Sequence, residues 1–443
     1  MAKQKTKGKY LPNAILICVL GLVLMFLSGL SSEHINIIET FITEEGGGWS
    51  ATSLQAPITA GNVACIFLTF IYGTLFVKYG VKKPLMITSI ITAIGVFGIV
   101  AANGLDCNGG TESGNYIMMF ISLMVVRCGC MMFQMGTFQL VANWFIRFRG
   151  QAMGIVTIGP PLFSVIGTAT MSKLIQKFWG GDYRPFYSAL GIIILVAFVL
   201  IWLLIREYPE DVGLYPDGAD HSPLSEKGMQ EENLTVKEVL TDKKAWQVII
   251  SYICLLFVLN SAMGSMAVRF IMLGGTELWL SQGTTFLAIG AACGLVMSYV
   301  FGLLDDKFGS IVPSIILIFC ELAVVLALMF MPASGSTPLF VLWAAGIACI
   351  TGGVPTMNPC IVTYVFGRRK YQSANRIIMA IQCIPTTFGA LLLTSLISSG
   401  KSNAAYTLLL VLLAVGLITF ITMLKIPDAN KEDRMYAEAQ KNK

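Results

Sequence analysis

Twelve stretches of this chain are each long enough to cross a bilayer and carry almost no charge. That recurrence decides what the chain can fold into. A helix needs about 20 apolar residues to span the hydrocarbon core, and such runs occupy 12–41, 53–77, 84–104, 116–142, 150–171 and 185–205. Six more occupy 245–271, 282–304, 311–331, 338–365, 374–397 and 404–424. In lipid, every backbone N–H and C=O must be satisfied inside its own segment, so runs of this kind are read as helices. Composition closes off the alternatives. Only 12% of the 443 residues are charged and 55% are hydrophobic, whereas soluble domains carry about 25% charged residues. A water-soluble enzyme, a disordered chain and a fibrous protein are all excluded. The fold class expected is an all-α membrane protein of twelve transmembrane helices. The first run is read as a retained span and not a cleaved signal, because it is long and no small-residue cleavage site ends it.

Charge sets the expected orientation. With the N-terminus inside, 24 of the 30 Lys and Arg fall on the cytoplasmic side; Lys173, Lys177, Arg184 and Lys401 fall outside, and Arg127 and Arg269 lie within spans. Cytoplasmic loops are the basic ones in membrane proteins, so both termini are expected in the cytoplasm and the chain in the plasma membrane. The net charge of +5 is scattered over many short loops, which suits an anionic lipid surface and not nucleic acid. Ten of the 11 cysteines lie in apolar runs and Cys107 stands alone in a loop, so no disulfide framework is expected. One connection, 206–244, is long, polar and rich in proline. It divides the chain into an N-terminal six-helix bundle (1–205), a cytoplasmic central loop (206–244) and a C-terminal six-helix bundle with its tail (245–443). Thr235-Val-Lys-Glu238 has the capping-box pattern of a short surface helix.

The two halves repeat each other. The loop after span 2 reads Gly73-Thr-Leu-Phe-Val-Lys78-Tyr-Gly80, and the loop after span 8 reads Gly302-Leu-Leu-Asp-Asp306-Lys307-Phe-Gly309, 229 residues later. A second pair, Phe145-Ile-Arg147 with Gln151 and Phe366-Gly-Arg368 with Gln372, is separated by 221 residues. Equivalent motifs at equivalent loops mark a duplicated chain. This pattern resembles the major facilitator superfamily over the whole chain. The resemblance implies two six-helix bundles related by a pseudo-two-fold axis. It gives Gly73, Lys78, Gly80, Gly302, Asp306, Lys307 and Gly309 a gating role at the cytoplasmic closure. The first copy departs from the family at Val77, where an Asp is expected. Asn143-Trp-Phe-Ile-Arg-Phe-Arg149-Gly-Gln-Ala-Met-Gly154, Pro209 to Gly218 and Thr235 to Trp246 are similar to the loops of oxalate/formate antiporter-like and monocarboxylate transporters. That group's basic pair in helices 8 and 11 is replaced by Ser298 and Gln382. The replacement argues against oxalate and leaves carboxylate specificity open.

Charges inside the membrane are costly, on the order of 3 kcal/mol, and usually face a cavity with a partner. Arg127 falls near the middle of span 4, and Glu33 and His34 fall in the outer half of span 1. In the superfamily both helices line the cavity, so Glu33 is expected to meet Arg127 in a substrate or proton site. A static ion pair locking two helices is the alternative. Gln134, Asn260, Ser298, Asn358 and Gln382 supply further hydrogen-bonding groups. The run Thr351-Gly-Gly-Val-Pro355-Thr-Met-Asn-Pro359 is expected to break helix 10, either freeing backbone groups for a ligand or kinking the helix for packing. Near the outer surface, Arg269 is expected to pair with Glu39 or Glu44 as a gate in the inward-facing state, the alternative being that it snorkels to the interface unpaired. Glu321, near the middle of span 9, is expected to be structural.

The chain is therefore read as a secondary transporter of a small polar solute, most directly a monocarboxylate-like organic anion, working by alternating access as a monomer. Protons or a counter-anion are the candidate coupling partners. An exchanger, a carrier of neutral or zwitterionic solutes and a transporter-fold sensor are the alternatives. No enzyme activity, cofactor or metal site is expected: only His34 and His221 are present, and no Walker loop occurs.

Overall fold

The computed structural model describes residues 2–31, 37–38, 41–42, 49–106, 110–166, 170–219, 233–274, 276–332 and 334–441. No strand occurs among them. Two compact units emerge: Met1–Trp144 with Gly159–Leu214, and Phe145–Ile158 with Tyr215–Lys443. Their division differs from the 1–205, 206–244 and 245–443 expected from the sequence. Segment 145–158 packs with the second unit, and the central loop is shared between both.

The first unit contains α1 (Ala2–Ser28), α2 (Ala51–Tyr79), α3 (Lys82–Ala101), α4 (Gly114–Trp144), α6 (Gly159–Ile166), α7 (Ser172–Trp179) and α8 (Arg184–Leu204). Here α4 is central, packing against α1, α2 and α3, while α3 also packs on α8. The second unit contains α5 (Arg149–Val156), the short α9 (Val236–Thr241), α10 (Lys243–Gly274), α11 (Thr284–Phe308), α12 (Ile311–Phe330), α13 (Thr337–Ser398), α14 (Ser402–Met423) and α15 (Lys431–Lys441). Its organising element is α13, packed against α10, α11 and α12, with α5 lying on α11. Ten described helices are long and apolar enough to cross a membrane. One of them, α13, contains two spans, and span 5 is divided between α5 and α6, which accounts for the twelve runs.

Local chemistry sets the helix ends. Ser50 caps α2 by accepting from the Ser53 N–H. Gly80 (φ 74°), Gly309 (φ 77°) and Gly367 (φ 76°) end α2, end α11 and divide α13. Each takes the left-handed backbone that favours glycine. The capping box expected at Thr235 is formed, with Glu238 accepting from the Thr235 N–H at 2.7 Å.

Three local expectations are corrected. Span 1 (12–41) is interrupted at Gly29, where α1 ends. Span 5 is not one helix: it turns at Thr157–Ile158, because Pro160 has no N–H to continue the ladder. Conversely, helix 10 does not break at Thr351 to Pro359, and Gly367 is the one residue of α13 with non-helical angles. The glycines there serve close packing. A methyl at Gly352 would lie 2.3 Å from the Gly294 carbonyl, and one at Gly353 2.4 Å from Leu317. Membrane helices tolerate proline when neighbours re-satisfy the freed backbone groups.

Candidate functional site

Arg127 sits near the middle of α4 and is half-buried. Its Nε donates to Asn62 Oδ1 of α2 at 2.7 Å, and its Nη1 donates to Ser31 Oγ at 2.9 Å. Gly61 makes room for it: a Cβ there would lie 2.9 Å from Arg127 Cγ. Glu33 and His34, the partners expected from the sequence, lie outside the described residues. Among the described residues no carboxylate pairs with Arg127, so both hydrogen-bonded neighbours are neutral. Asn62 and Ser31 were not singled out from the sequence. An amide interrupting the apolar face of span 2, directly after a glycine, is the signal that points to them.

The second copy of the loop motif builds a charged junction within the second unit. Asp306 accepts from the Gly150 N–H at 2.7 Å and the Gln151 N–H at 3.1 Å, so it caps the start of α5. The ion pair belongs to the preceding residue. Arg149 Nη2 meets Asp305 Oδ2 at 3.2 Å with both side chains fully buried, and Ser310 Oγ bonds to both partners. Gly302 permits the approach, since a Cβ there would lie 2.1 Å from the Gly150 carbonyl. Lys307, given a gating role by the resemblance, lies over the Phe308 ring at 5.1 Å.

The first copy is built differently. Val77 offers no acceptor, and Lys78 lies over the Tyr79 ring at 5.2 Å. Glu207, from the segment after α8, accepts from the Lys82 N–H at 3.0 Å and stands against Gly80. Gly73 is buried in α2.

The repeated Phe-x-Arg loops share one more device. Asp217 accepts from the Ile146 and Arg147 N–H groups at 3.1 and 2.6 Å. Asn430 accepts from the Arg368 N–H at 3.2 Å and donates to the Thr363 carbonyl at 2.9 Å. Each loop is thus held by a side chain from the segment that follows its half's last span. The carboxyl of Asp217 is withdrawn from water, and this burial pushes its pKa upward against the lowering effect of the backbone N–H donors.

The remaining candidates are dispersed. Asn358 Nδ2 donates to Gln382 Oε1 at 3.2 Å, joining the two spans of α13. The Asn358 Oδ1 is buried with no hydrogen-bond partner among the described residues. Asn260 is exposed on α10 and donates to the Leu256 carbonyl at 2.7 Å. Gln134 is half-buried on α4. Ser298 is fully packed: it donates to the Gly294 carbonyl, and Gly154 and Gly352 lie against its backbone. Arg269 reaches the Leu328 carbonyl at 3.4 Å and stacks over the Tyr406 ring at 5.5 Å. Glu39 and Glu44, proposed as its partners, lie outside the described residues. Glu321 is fully buried, and neither of its carboxyl oxygens has a partner among the described residues.

The chain is similar in structure to several membrane transporters. It matches the proton:xylose symporter XylE bound to 6-bromo-6-deoxy-D-glucose with a TM-score of 0.69 at 14% identity, covering 98% of this chain and 99% of that one. The transporter FucP in its outward conformation matches with a TM-score of 0.63 at 12% identity, over 93% and 99% of the two chains. A bacterial homologue of the iron transporter ferroportin, in an outward-facing state, gives 0.67 at 14% identity over the same shares. No curated protein matches the chain in sequence. The sequence profile described as Major Facilitator Superfamily matches residues 21–390. With its duplicated loops, its all-helical architecture and a family match over most of its length, this chain belongs to the major facilitator superfamily.

Proposed function

We propose that this transporter carries a small organic anion, monocarboxylate-like in size, across the plasma membrane by alternating access, as a monomer with both termini in the cytoplasm. Membership of the superfamily makes the chain a multi-pass transporter of a small solute and not an enzyme. The observation that supports an anionic solute is Arg127. Its guanidinium, midway along a membrane helix, is oriented by Ser31 and Asn62, which supply hydrogen bonds but no charge. Both of these bonds among the described residues go to neutral groups, and the planar arginine fork is the side chain best matched to a carboxylate. Glu33 and His34 are the candidate proton carriers, and exchange against a counter-anion is the alternative coupling. The similarity of segments 143–154 and 209–218 to monocarboxylate and oxalate/formate transporters points the same way.

A neutral polar solute is the second reading. The Asn358–Gln382 pair, with the unpartnered Asn358 oxygen, supports it, because amide pairs are suited to hydroxyl-bearing ligands. The xylose symporter among the structural neighbours carries such a solute.

Uptake by proteoliposomes separates the two. Short monocarboxylates, dicarboxylates and sugars would be offered at two pH values to wild type, Arg127→Gln and Gln382→Ala. Loss of uptake of an anion in Arg127→Gln, with expression retained, supports the anion reading. Uptake of a neutral sugar that survives Arg127→Gln and fails in Gln382→Ala replaces it with the second. Orientation is tested separately on a background without reactive cysteines. Lys401→Cys should be labelled by an impermeant maleimide in intact cells, and Lys237→Cys only after permeabilisation.

A further inference from the structure

In the first unit, α2 and α3 follow one another in sequence and both lie along α4, yet they barely touch each other. The gap between them is a groove of about 420 Å³ with an apolar lining, floored by α4 at Met124, Cys128 and Gly129. It extends along α2 from Leu68 to Tyr79, about 16 Å at 1.5 Å per helical residue. That is close to half of a hydrocarbon core about 30 Å thick, so the groove is one leaflet deep. Its rim is exposed: Ile87 is 59% and Ile91 47% accessible.

One end of the groove is cationic. Lys83 lines it directly. The ammonium of Lys78 lies over the ring of Tyr79, another lining residue. Glu207 accepts from the Lys82 N–H at 3.0 Å. An apolar slot of one leaflet's depth with two ammonium groups at its mouth complements one kind of molecule: an acyl chain carrying an anionic headgroup. We propose that a phospholipid with an anionic headgroup binds here, with an acyl chain between α2 and α3 and its phosphate between Lys78 and Lys83. Dispersion contacts fill a space that neither helix occupies, and surface lysines draw anionic lipid from the leaflet on their own side. Bound in this way, the lipid joins two helices that the fold leaves apart, next to the first loop motif.

The test uses the full-length protein purified in mild detergent, with native mass spectrometry and thermal unfolding as readouts. The probes are phosphatidylglycerol, phosphatidylcholine and palmitic acid, each added separately. Wild type should retain phosphatidylglycerol about fivefold more than phosphatidylcholine, and phosphatidylglycerol should raise its unfolding temperature. The double change Lys78→Gln with Lys83→Gln should abolish the preference, and Ile87→Trp should lower retention of both phospholipids by occupying the groove. Equal retention of the two phospholipids by wild type overturns the proposal. So does a preference that survives the double change, or palmitic acid binding as well as phosphatidylglycerol. A monodisperse Ile87→Trp protein that keeps full retention overturns the location. If that variant aggregates, the double lysine change still decides.

Discussion

The two copies of the duplicated loop share a shape but solve different problems. In both, a glycine at positive φ ends a long helix: Gly80 in the first, Gly309 in the second. In the second copy the motif's own carboxylates act at long range. Asp306 caps α5, and Asp305 holds Arg149 in a fully buried pair, across sequence separations of 156 residues. In the first copy Val77 has replaced the acid, and the nearby carboxylate, Glu207, comes from after α8 and serves the start of α3 in the same unit. Duplication therefore preserved the turn and not the electrostatics. A glycine turn is a local property of the backbone, whereas a cap or ion pair depends on what stands opposite, and that has diverged.

The comparison breaks most readily at the buried pair. Asp305→Ala leaves Arg149 charged, buried and unpaired, and loss of one partner of a buried pair costs about 3–5 kcal/mol. Thermal unfolding in detergent should show a drop of several degrees, and Arg149→Leu added to Asp305→Ala should recover much of it. If the single change leaves unfolding unaltered, the pair is not what secures α5. Next in size is the cap. Asp306→Ala removes two hydrogen bonds at the α5 N-terminus, worth about 1 kcal/mol. On the gating role that the family resemblance implies for Asp306, turnover in proteoliposomes should fall several-fold with substrate affinity nearly intact. A large affinity loss at unchanged turnover contradicts that role.

The third test sharpens the contrast between the equivalent caps Asp217 and Asn430, of which only the first titrates. Burial raises the Asp217 pKa in the folded protein above the unfolded value of about 3.9. The folded state therefore binds the proton more tightly than the unfolded one. The stability this group contributes is complete below about pH 3.9 and is lost as pH rises through the folded value. Asp217→Asn should flatten that part of the pH–stability curve, while Asn430→Asp should introduce a pH dependence where none of this origin existed. Identical curves for wild type and Asp217→Asn would remove the assignment. The smallest effect is expected where the first copy lost its acid. Val77→Asp restores the motif without a described N–H donor pair to cap, and should shift stability by less than about 0.5 kcal/mol. A large stabilisation would show that a partner awaits the carboxylate.

These contrasts also mark what a sequence displays. The spans were legible because lipid imposes a long, uninterrupted apolar pattern, and the loop motifs because turns need glycine at fixed positions. The caps were not, since Asp217 and Ile146 are 71 residues apart and Asn430 and Arg368 62 apart. No spacing rule connects them. The prolines of helix 10 misled because a missing N–H weakens one rung without unwinding a helix packed on every side. At Arg127 the charge itself was plain from its position in an apolar run. Its neutral holders, Ser31 and Asn62, were hidden because a search for opposite charge looks past amides and hydroxyls.

Gly61 has a consequence of its own. Because α2 presents only a hydrogen where Arg127 leans on it, the reach of the guanidinium is metered by backbone and not by any group that touches a solute. A single added methyl would lift the aliphatic stem and carry the charge with it, without removing a charged group. Position 61 thus works as a vernier on the place of that charge, and on the proposed anion reading Gly61→Ala should shift preference among anions of different size while leaving the charge count unchanged.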